Sequence, residues 1–459
     1  MADASADADT VTDADTDADT VADADADTVT DADTVAVADA DADTDTDTDT
    51  VTDTDADTDA VTDTVTDTVT DAVAAPGPGP HLYNRRMRPA ALSLLFLTLS
   101  LTPGCRAPAI TPPPGIGTMV YVNGAAITNY HPTPALRTRR TLVDRAKYPA
   151  VDVHCHWEVE ADPVAMLAAM DERNVRAAVN LSGGFGDDLD AMLERFHAVD
   201  SDRFIIFCNI DFSRIDEPDF GPAAAAAVRA AHAKGVRGLK IFKSLGLRIR
   251  DGSGRLVPVD DPRLDPLWAV CGELGMPVLI HTADPVAFFA PIDERNERWM
   301  QLKRHPDWSF HGEAFPTRDE VLAQRDRVFA RHPGTIFIGA HVGNNAEDLT
   351  AAAAALERHP NLYVDISGRV AELGRQPYTA RRFFLDYQDR ILFGTDRYPG
   401  RADQPRYRIY YRFLETADEH FDYHAHHFPP AGDWKINGLH LPDAVLKKIY
   451  HENFDRILP

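Results

Sequence analysis

The sequence predicts an α/β protein whose main domain, residues 148–459, is a (β/α)8 TIM barrel preceded by a disordered acidic extension. From Pro149 onward, short apolar runs alternate with helical patterns at the spacing of βα units. Eight such runs fit into about 310 residues, which is the size of one closed barrel. A doubly wound open sheet is the alternative fold. It would normally carry a glycine-rich phosphate loop, and the sequence contains none.

The eight predicted strands are short apolar runs, most of them bounded by Gly, Pro, Asn or Asp. They span residues 150–154, 175–181, 204–210, 236–242, 277–281, 335–341, 362–366 and 391–395. The segments between them with helical periodicity include 163–173, 223–234, 262–274, 318–331 and 346–358. In a barrel the carboxyl ends of all the strands meet at one mouth, which is where the active site lies.

The first 86 residues are a low-complexity segment. Up to residue 75 they are almost wholly Asp, Ala, Thr and Val, without Lys, Arg or aromatic residues. Such a stretch cannot bury enough apolar surface to offset chain entropy, so we expect it to be disordered or spurious. Its 25 Asp account for nearly all of the formal net charge of −27. The remainder is close to neutral and shows no basic patch for a nucleic acid.

Residues 87–105 are similar to a lipoprotein signal. Three arginines flank a 12-residue apolar run, Ala90 to Leu101, which is too short to span a bilayer but suits a signal-peptide core. The run ends at Leu-Thr-Pro-Gly-Cys105, where the cysteine is the candidate for lipidation. Since a signal begins its chain, we expect translation from Met87, export and a lipid anchor in a bacterial membrane. If the extension is genuine, the protein is cytoplasmic. Residues 106–147 suit a linker.

Polar residues lie at or near the carboxyl ends of five of the predicted strands. The first strand, within VDVHCHW, carries two histidines at a spacing of two residues, so both imidazoles emerge on the same side and can clamp one cation. Ring closure would bring the other polar strand ends to the same mouth. These residues are His154 and His156 at the end of the first strand, Lys240 near the end of the fourth, His281 at the end of the fifth, His341 at the end of the sixth and Asp396 at the end of the eighth. Hydrogen-bonded core histidines and a helix-capping Asp396 are the alternatives.

From residue 148 to its end, the chain resembles the amidohydrolase superfamily. The similarity is to the amidohydrolase-related group that contains aminocarboxymuconate semialdehyde decarboxylase, resorcylate decarboxylases and several lactonases. It rests on six motifs in the expected order: VDVHCHW, GLKIF, PVLIHT, FIGAHVG, ILFGTDRYP and LPDAVLKKIYHENFDRIL.

The resemblance implies roles for the residues at the mouth. His154, His156, His281 and Asp396 would bind one divalent metal ion, and His341 would act on water or substrate as an acid or base. Three imidazoles and one carboxylate suit Zn²⁺ and leave a position open for catalysis. A metal-activated water would be the nucleophile, and Asp396 would accept its proton.

Lys240 has three interpretations. In binuclear relatives a lysine at this strand end is carboxylated and bridges two metal ions. In mononuclear relatives the position can hold a cation that binds a substrate carboxylate, and this is the interpretation that we favour; a structural lysine is the third. Lys243, Arg397 and Trp157 lie near the same mouth and are candidates for binding an anionic or aromatic substrate, or else ordinary rim residues.

Two further segments bear on the mouth. Residues 282–317 form a long connection rich in aromatics and Pro, which we expect to be a lid, with packing against a neighbouring subunit as the alternative. Three histidines near the end, His424, His426 and His427, are expected in a solvated loop.

The leading functional prediction is a metal-dependent hydrolase that acts on a small, anionic or cyclic substrate. A metal-dependent decarboxylase of an aromatic or unsaturated acid is the second, and a non-catalytic surface-binding protein is the third. One metal site serves several reactions, so the motifs do not specify the bond that is cleaved. A homo-oligomer is compatible with the sequence.

We predict that the mature protein begins at a lipidated Cys105, because the apolar run and its basic flank form a signal. The intact mass of the membrane fraction checks this, and Cys105→Ala should abolish the lipid mass. Recovery of a soluble chain that still carries the Asp-Thr repeat would contradict both export and the start at Met87.

Overall fold

Eight parallel strands pair in chain order into one sheet. The computed structural model describes residues 134–400, 402, 404–425 and 430–458. The acidic segment, the predicted signal with Cys105 and most of the predicted linker lie outside the described residues. All eight predicted strands are confirmed, and several end earlier than predicted, where the chain turns at the mouth. They are β1 (Ala150–Cys155), β2 (Val175–Asn180), β3 (Phe204–Cys208), β4 (Gly238–Ile241), β5 (Val278–Ile280), β6 (Phe337–Gly339), β7 (Leu362–Asp365) and β8 (Ile391–Leu392).

The sheet closes because the chain after β8 bonds to β1. The Val153 N–H donates to the Phe393 carbonyl (3.0 Å), and the Asp396 N–H donates to the His154 carbonyl (2.8 Å). Cys155 also forms a parallel bridge with Arg397. These contacts confirm the predicted (β/α)8 barrel and place Asp396 directly beside the histidines of β1.

The helices between the strands begin at capping side chains. Asp162 accepts hydrogen bonds from Val164 N and Ala165 N at the start of the first helix. Thr317 and Glu320 form a capping box, and Asp348 caps a helix that the periodicity alone had begun three residues too early. The α-helices of four or more residues are Pro163–Arg173, Gly186–Asp200, Phe220–Ala233, Asp265–Leu274, Trp299–Leu302, Arg318–Arg331, Leu349–Arg358, Val370–Leu373, Pro377–Asp386, Gln404–Glu415, Asp443–Lys447 and Asn453–Ile457.

Shorter turns complete the chain. None of the helices among the described residues is long and apolar enough to cross a membrane. Of the turns, four are 3-10 turns, one is a π-turn, and two are irregular turns with non-helical backbone angles. They are Phe212–Arg214, Pro262–Leu264, Val286–Phe289, Pro306–Trp308, Lys448–Glu452, Ser244–Leu247 and Ala340–Gly343. The first helical turn of the predicted segment 262–274 is the 3-10 turn, since Asp261 caps it separately.

The hydrophobic core consists of two clusters that take alternate residues of the strands. In β3, Phe204 and Ile206 belong to the larger cluster, which includes the apolar faces of the helices, and Ile205 and Phe207 belong to the smaller one. Successive side chains of a strand point to opposite faces, so the two clusters lie on opposite faces of the sheet. The smaller cluster also contains Phe454 from the last helix, which is how the carboxyl terminus packs on the barrel.

One buried carboxylate joins the first and last parts of the barrel. Asp152 accepts hydrogen bonds from Thr395 N (3.0 Å), Thr395 Oγ1 (2.6 Å), the Tyr407 hydroxyl (2.7 Å) and His154 N (3.2 Å). Burial raises the pKa of Asp152 to about 6, although these hydrogen bonds lower it. The carboxylate thereby fixes β1 against the segment that carries Asp396.

We predict that Asp152→Ala lowers the free energy of unfolding by about 3 kcal/mol, because the buried hydroxyls of Thr395 and Tyr407 lose their acceptor. Urea denaturation measures the change. The control is Asp386→Ala, which removes an exposed carboxylate paired with Arg382 and should cost about 0.3 kcal/mol. Equal effects of the two substitutions would contradict the role given to Asp152.

Candidate active site

The two histidines of β1 are held through their Nδ1 atoms. His154 Nδ1 lies 2.9 Å from Asp365 Oδ2, and His156 Nδ1 lies 2.7 Å from Ser182 Oγ. A carboxylate only accepts hydrogen bonds, so His154 carries its proton on Nδ1 and its lone pair on Nε2. Metal-binding histidines are oriented in this way by the group behind them.

The Nε2 atoms of these histidines converge on one carboxylate. Asp396 Oδ1 lies 3.3 Å from His154 Nε2 and 3.5 Å from His156 Nε2. Ligands about 2.0–2.1 Å from a tetrahedrally coordinated ion are roughly 3.3 Å apart, so these separations fit three corners of a Zn²⁺-sized site. The three residues form one of the two His/Asp groups in the described part of the chain that could hold a metal ion.

The imidazole of His154 is neutral. Burial lowers the pKa of His154 well below its usual value, and the Lys240 ammonium and the other two site histidines, His156 and His281, lower it further, against the opposing effect of Asp396. Only a neutral imidazole offers a lone pair to a cation. The environment of β1 therefore favours the protonation state that metal binding requires.

His341 lies in a strained turn after β6. His341 (φ 59°) and Val342 (φ 61°) both have left-handed backbone angles, which are costly for a β-branched residue. The turn is held by a bond from His341 N to Asp365 Oδ1 (3.0 Å) and by one from His341 Nδ1 to the Ser367 carbonyl (2.8 Å). Strain of this kind is kept where the surrounding contacts fix a side chain for function.

Because Nδ1 carries the proton of the neutral ring, His341 Nε2 is a hydrogen-bond acceptor. Within the described residues this buried atom has no hydrogen-bond partner, and burial, followed by Arg369 and His281, lowers the pKa of His341 well below its usual value. A buried acceptor of this kind costs free energy unless a ligand, water or ion fills it. Its ring centroid lies 4.9 Å from that of His154 and 4.5 Å from that of His281, so the acceptor belongs to the same cluster.

Sequence reasoning missed Asp365, which joins the two halves of the cluster. Besides His154, its carboxylate accepts from Ser367 Oγ (2.5 Å), and Ser367 Oγ lies 2.8 Å from His154 Nδ1. His154, His341 and Asp365 form the second of the two His/Asp groups. A signal was available, because Asp365 is the last residue of β7 and polar strand ends had identified the other residues.

The structure places His281 beside a second missed carboxylate. His281 Nε2 lies 3.4 Å from Asp284 Oδ1, and Lys243 Nζ lies 3.1 Å from Asp284 Oδ2. His281 therefore lies near the cluster, but it does not belong to the group formed by His154, His156 and Asp396. Lys243, predicted near the mouth, forms a buried ion pair there.

Lys240 points into the cluster itself. The residue is buried, and its Nζ lies 3.5 Å from His154 Nε2 and 5.2 Å from the centroid of the Phe242 ring. The position of Lys240 Nζ, so close to the nitrogen that would bind a metal, is compatible with two of the predicted states. In one, Lys240 is a cation that holds a substrate carboxylate; in the other, it is carboxylated and bridges two metal ions.

A cavity of about 200 Å³ opens beside Asp396. Its wall includes Arg397, as predicted for a substrate-binding residue, and Phe288 and Trp308 from the predicted lid. It also includes Tyr423 and His424, so part of the loop expected to be solvated lines the site. His426 and His427 lie outside the described residues.

The structure places Trp157 in the core. Its ring is 3% exposed, and its centroid lies 5.5 Å from that of Phe196 and 5.9 Å from that of Phe204. Trp157 is not one of the described residues that line the cavity. Its side chain contributes to packing between the sheet and the helices, and the substrate-binding role predicted for it has no contact to support it.

The structure is a TIM barrel that carries, at its mouth, His and Asp side chains which could hold a metal ion. The family described as "Amidohydrolase" matches residues 151–459, and the chain belongs to this family. This confirms the resemblance drawn from the six motifs.

Three individual proteins illustrate what the chain is similar to. A gamma-resorcylate decarboxylase of Rhodococcus jostii (strain RHA1) is 28% identical over 145 residues, which are 32% of this chain and only 39% of that enzyme. A dihydroxybenzoic acid decarboxylase of Polaromonas sp. JS666, solved with manganese and 2-nitroresorcinol, is 15% identical to this chain, with a TM-score of 0.41. The match covers 68% of this chain and 97% of that one. A dihydroorotase of Campylobacter jejuni is 14% identical with a TM-score of 0.39, covering 68% and 83%.

We predict that the purified protein contains about one divalent ion per chain and that His154→Ala and Asp396→Asn deplete it, because each removes a convergent ligand. Elemental analysis measures the content, and circular dichroism checks the fold. His332→Ala, a histidine paired with Asp265 away from the mouth, is the control and should retain the metal.

Full occupancy in both ligand variants would contradict the assignment. A content near two, with one ion lost in Lys240→Ala, would show instead that Lys240 is a carboxylated bridging ligand.

Proposed function

We propose that the protein is a metal-dependent hydrolase of a small anionic or cyclic substrate. The observation that carries this proposal is the position of Asp396, which contacts the histidine cluster on one side and lines the cavity on the other. A base in that position can reach both a nucleophile held at the cluster and a substrate held in the cavity.

The donor set fits a divalent ion, and Zn²⁺ is the proposed one. His154, His156 and Asp396 would hold it, with His281 as the further ligand that the resemblance implies. When bound, the ion would act as a Lewis acid that lowers the pKa of a water molecule toward neutrality. The orphaned Nε2 of His341 lies against the same cluster and adds an acceptor for a water or substrate proton.

The chain's own residues perform the remaining tasks. Asp396 accepts the proton of the attacking water and can return it to the leaving group. His341, neutral because it is buried, accepts a hydrogen bond at Nε2. Lys240 and Arg397 supply positive charge that would hold an anionic substrate in place. Lid residues Phe288 and Trp308 exclude water from one wall.

Decarboxylation is the second candidate, and one observation favours it. The curated relative with a matching segment is a decarboxylase, though the match spans less than half of that enzyme. Such a reaction needs cations that hold the departing carboxylate and an acid that protonates carbon. Lys240 and Asp396 are suitably placed for these two tasks.

We predict that turnover in ¹⁸O-labelled water places label in a new carboxyl or hydroxyl group of the product. Mass spectrometry of the products of lactones, amides and aromatic carboxylates measures it. Asp396→Asn should lower kcat by at least about 10²–10⁴, the range for loss of a general base, because it also removes a proposed metal ligand. Release of carbon dioxide without label in the product would select the decarboxylase.

A further inference from the structure

The cavity beside Asp396 is lined by several positively charged side chains, of which the proposed hydrolysis uses only Arg397. Four guanidinium groups contribute to its wall, together with the carboxylates of Asp284 and Asp396. Two of these charges are matched inside the protein, because Arg298 forms a buried ion pair with Glu372 and Asp284 pairs with Lys243. The other three arginines are Arg397, Arg406 and Arg369, and Arg369 donates hydrogen bonds to the Gly368 carbonyl and to Asn344 Oδ1 (both 3.0 Å).

Arg406 is the arginine whose contacts point most clearly to a ligand. It lies near the start of the helix Gln404–Glu415 and is partly buried. Its Nε is shielded from solvent and has no hydrogen-bond partner among the described residues. A guanidinium group taken out of water needs an acceptor, and a carboxylate meets its planar fork with two parallel hydrogen bonds.

Neighbouring contacts connect Arg406 with the reacting end of the cavity. Its guanidinium carbon lies 5.9 Å from the centroid of the Tyr410 ring, and the Tyr410 hydroxyl accepts the N–H of Gly368 (2.7 Å). Gly368 has φ 62°, and a Cβ there would lie 3.4 Å from both Asp396 Oδ2 and His341 Nδ1. Arg406 and Asp396 therefore belong to one continuous wall with two chemically different ends.

The lining also includes an aromatic residue whose position is fixed by several contacts, Tyr423. The Tyr423 hydroxyl is fixed by bonds to the backbone of Ala431 and Gly432, and its ring stacks on Trp434 with centroids 5.8 Å apart. The Arg375 guanidinium covers that indole at 4.0 Å. About 200 Å³ is less than the roughly 300–1,000 Å³ of sites for drug-sized ligands, so the ligand is small.

We propose that Arg406 is a specificity-determining residue that binds a carboxylate of the substrate which does not react. The substrate is then a small organic acid that carries this carboxylate at one end and its reacting group at the other, against Asp396. The inference rests on the proposed function for the identity of the reacting end. The anion-binding end is independent of the bond that is cleaved.

Binding of dicarboxylate probes to the full-length metal-loaded protein tests this. Isophthalate, phthalate and glutarate are titrated by calorimetry without turnover. At least one should bind the wild type, and Arg406→Gln should weaken that binding at least tenfold. Arg406→Lys, which keeps the charge but loses the fork, should give an intermediate affinity. Arg408→Gln is the matched control, because Arg408 on the same helix pairs with Asp144 and does not line the cavity among the described residues.

Unchanged probe affinity in Arg406→Gln, or no binding of any probe to the wild type, would overturn the inference. Urea midpoints confirm that the variants fold, and metal content is measured on the same samples. Loss of the proposed function appears as absent metal or absent hydrolysis. Failure of the carboxylate subsite appears instead as unchanged probe affinity in Arg406→Gln, or as no probe binding, in protein that retains its metal. The two failures are therefore distinguishable.

Discussion

The closure of β8 onto β1 is the constraint on which the site depends. A single backbone hydrogen bond from Asp396 N to the His154 carbonyl joins residues 242 positions apart and brings the carboxylate to the two Nε2 atoms. Asp152 holds the same junction from within through its bonds to Thr395 and Tyr407. The ring therefore has to close correctly before its first and last strands can share a metal site.

A second layer of carboxylates and hydroxyls stabilises the many polar groups that are buried at the mouth. Asp365 holds His154 through Nδ1 and His341 through its backbone N–H, while Ser367 lies between the two imidazoles. This layer leaves the Nε2 lone pairs facing the cluster. It also keeps His341 in a left-handed turn that the residue would not adopt alone.

Asp396 divides the mouth into a reaction centre and a binding cavity. Behind it lie His154 and His341, whose pKa values burial lowers, and in front lies a small cavity lined by four arginines and two aspartates. The reaction centre comes from the strand ends, as expected for the fold. The cavity wall comes largely from connections between the strands and helices, such as residues 282–317 and the segment around Tyr423.

The sequence by itself determined the eight strands and the convergence of His154, His156 and Asp396. Alternation with a period of two puts both histidines on one side of β1, and parallel strands put all carboxyl ends at one mouth. Asp365 could have been identified as another polar strand end, but the sequence did not determine that Trp157, next to His156, turns into the core, nor that Arg406 lines the cavity. Those positions depend on contacts between segments far apart in the chain. Such contacts exist only after the barrel has closed, so no local pattern encodes them, and only the tertiary structure decided them.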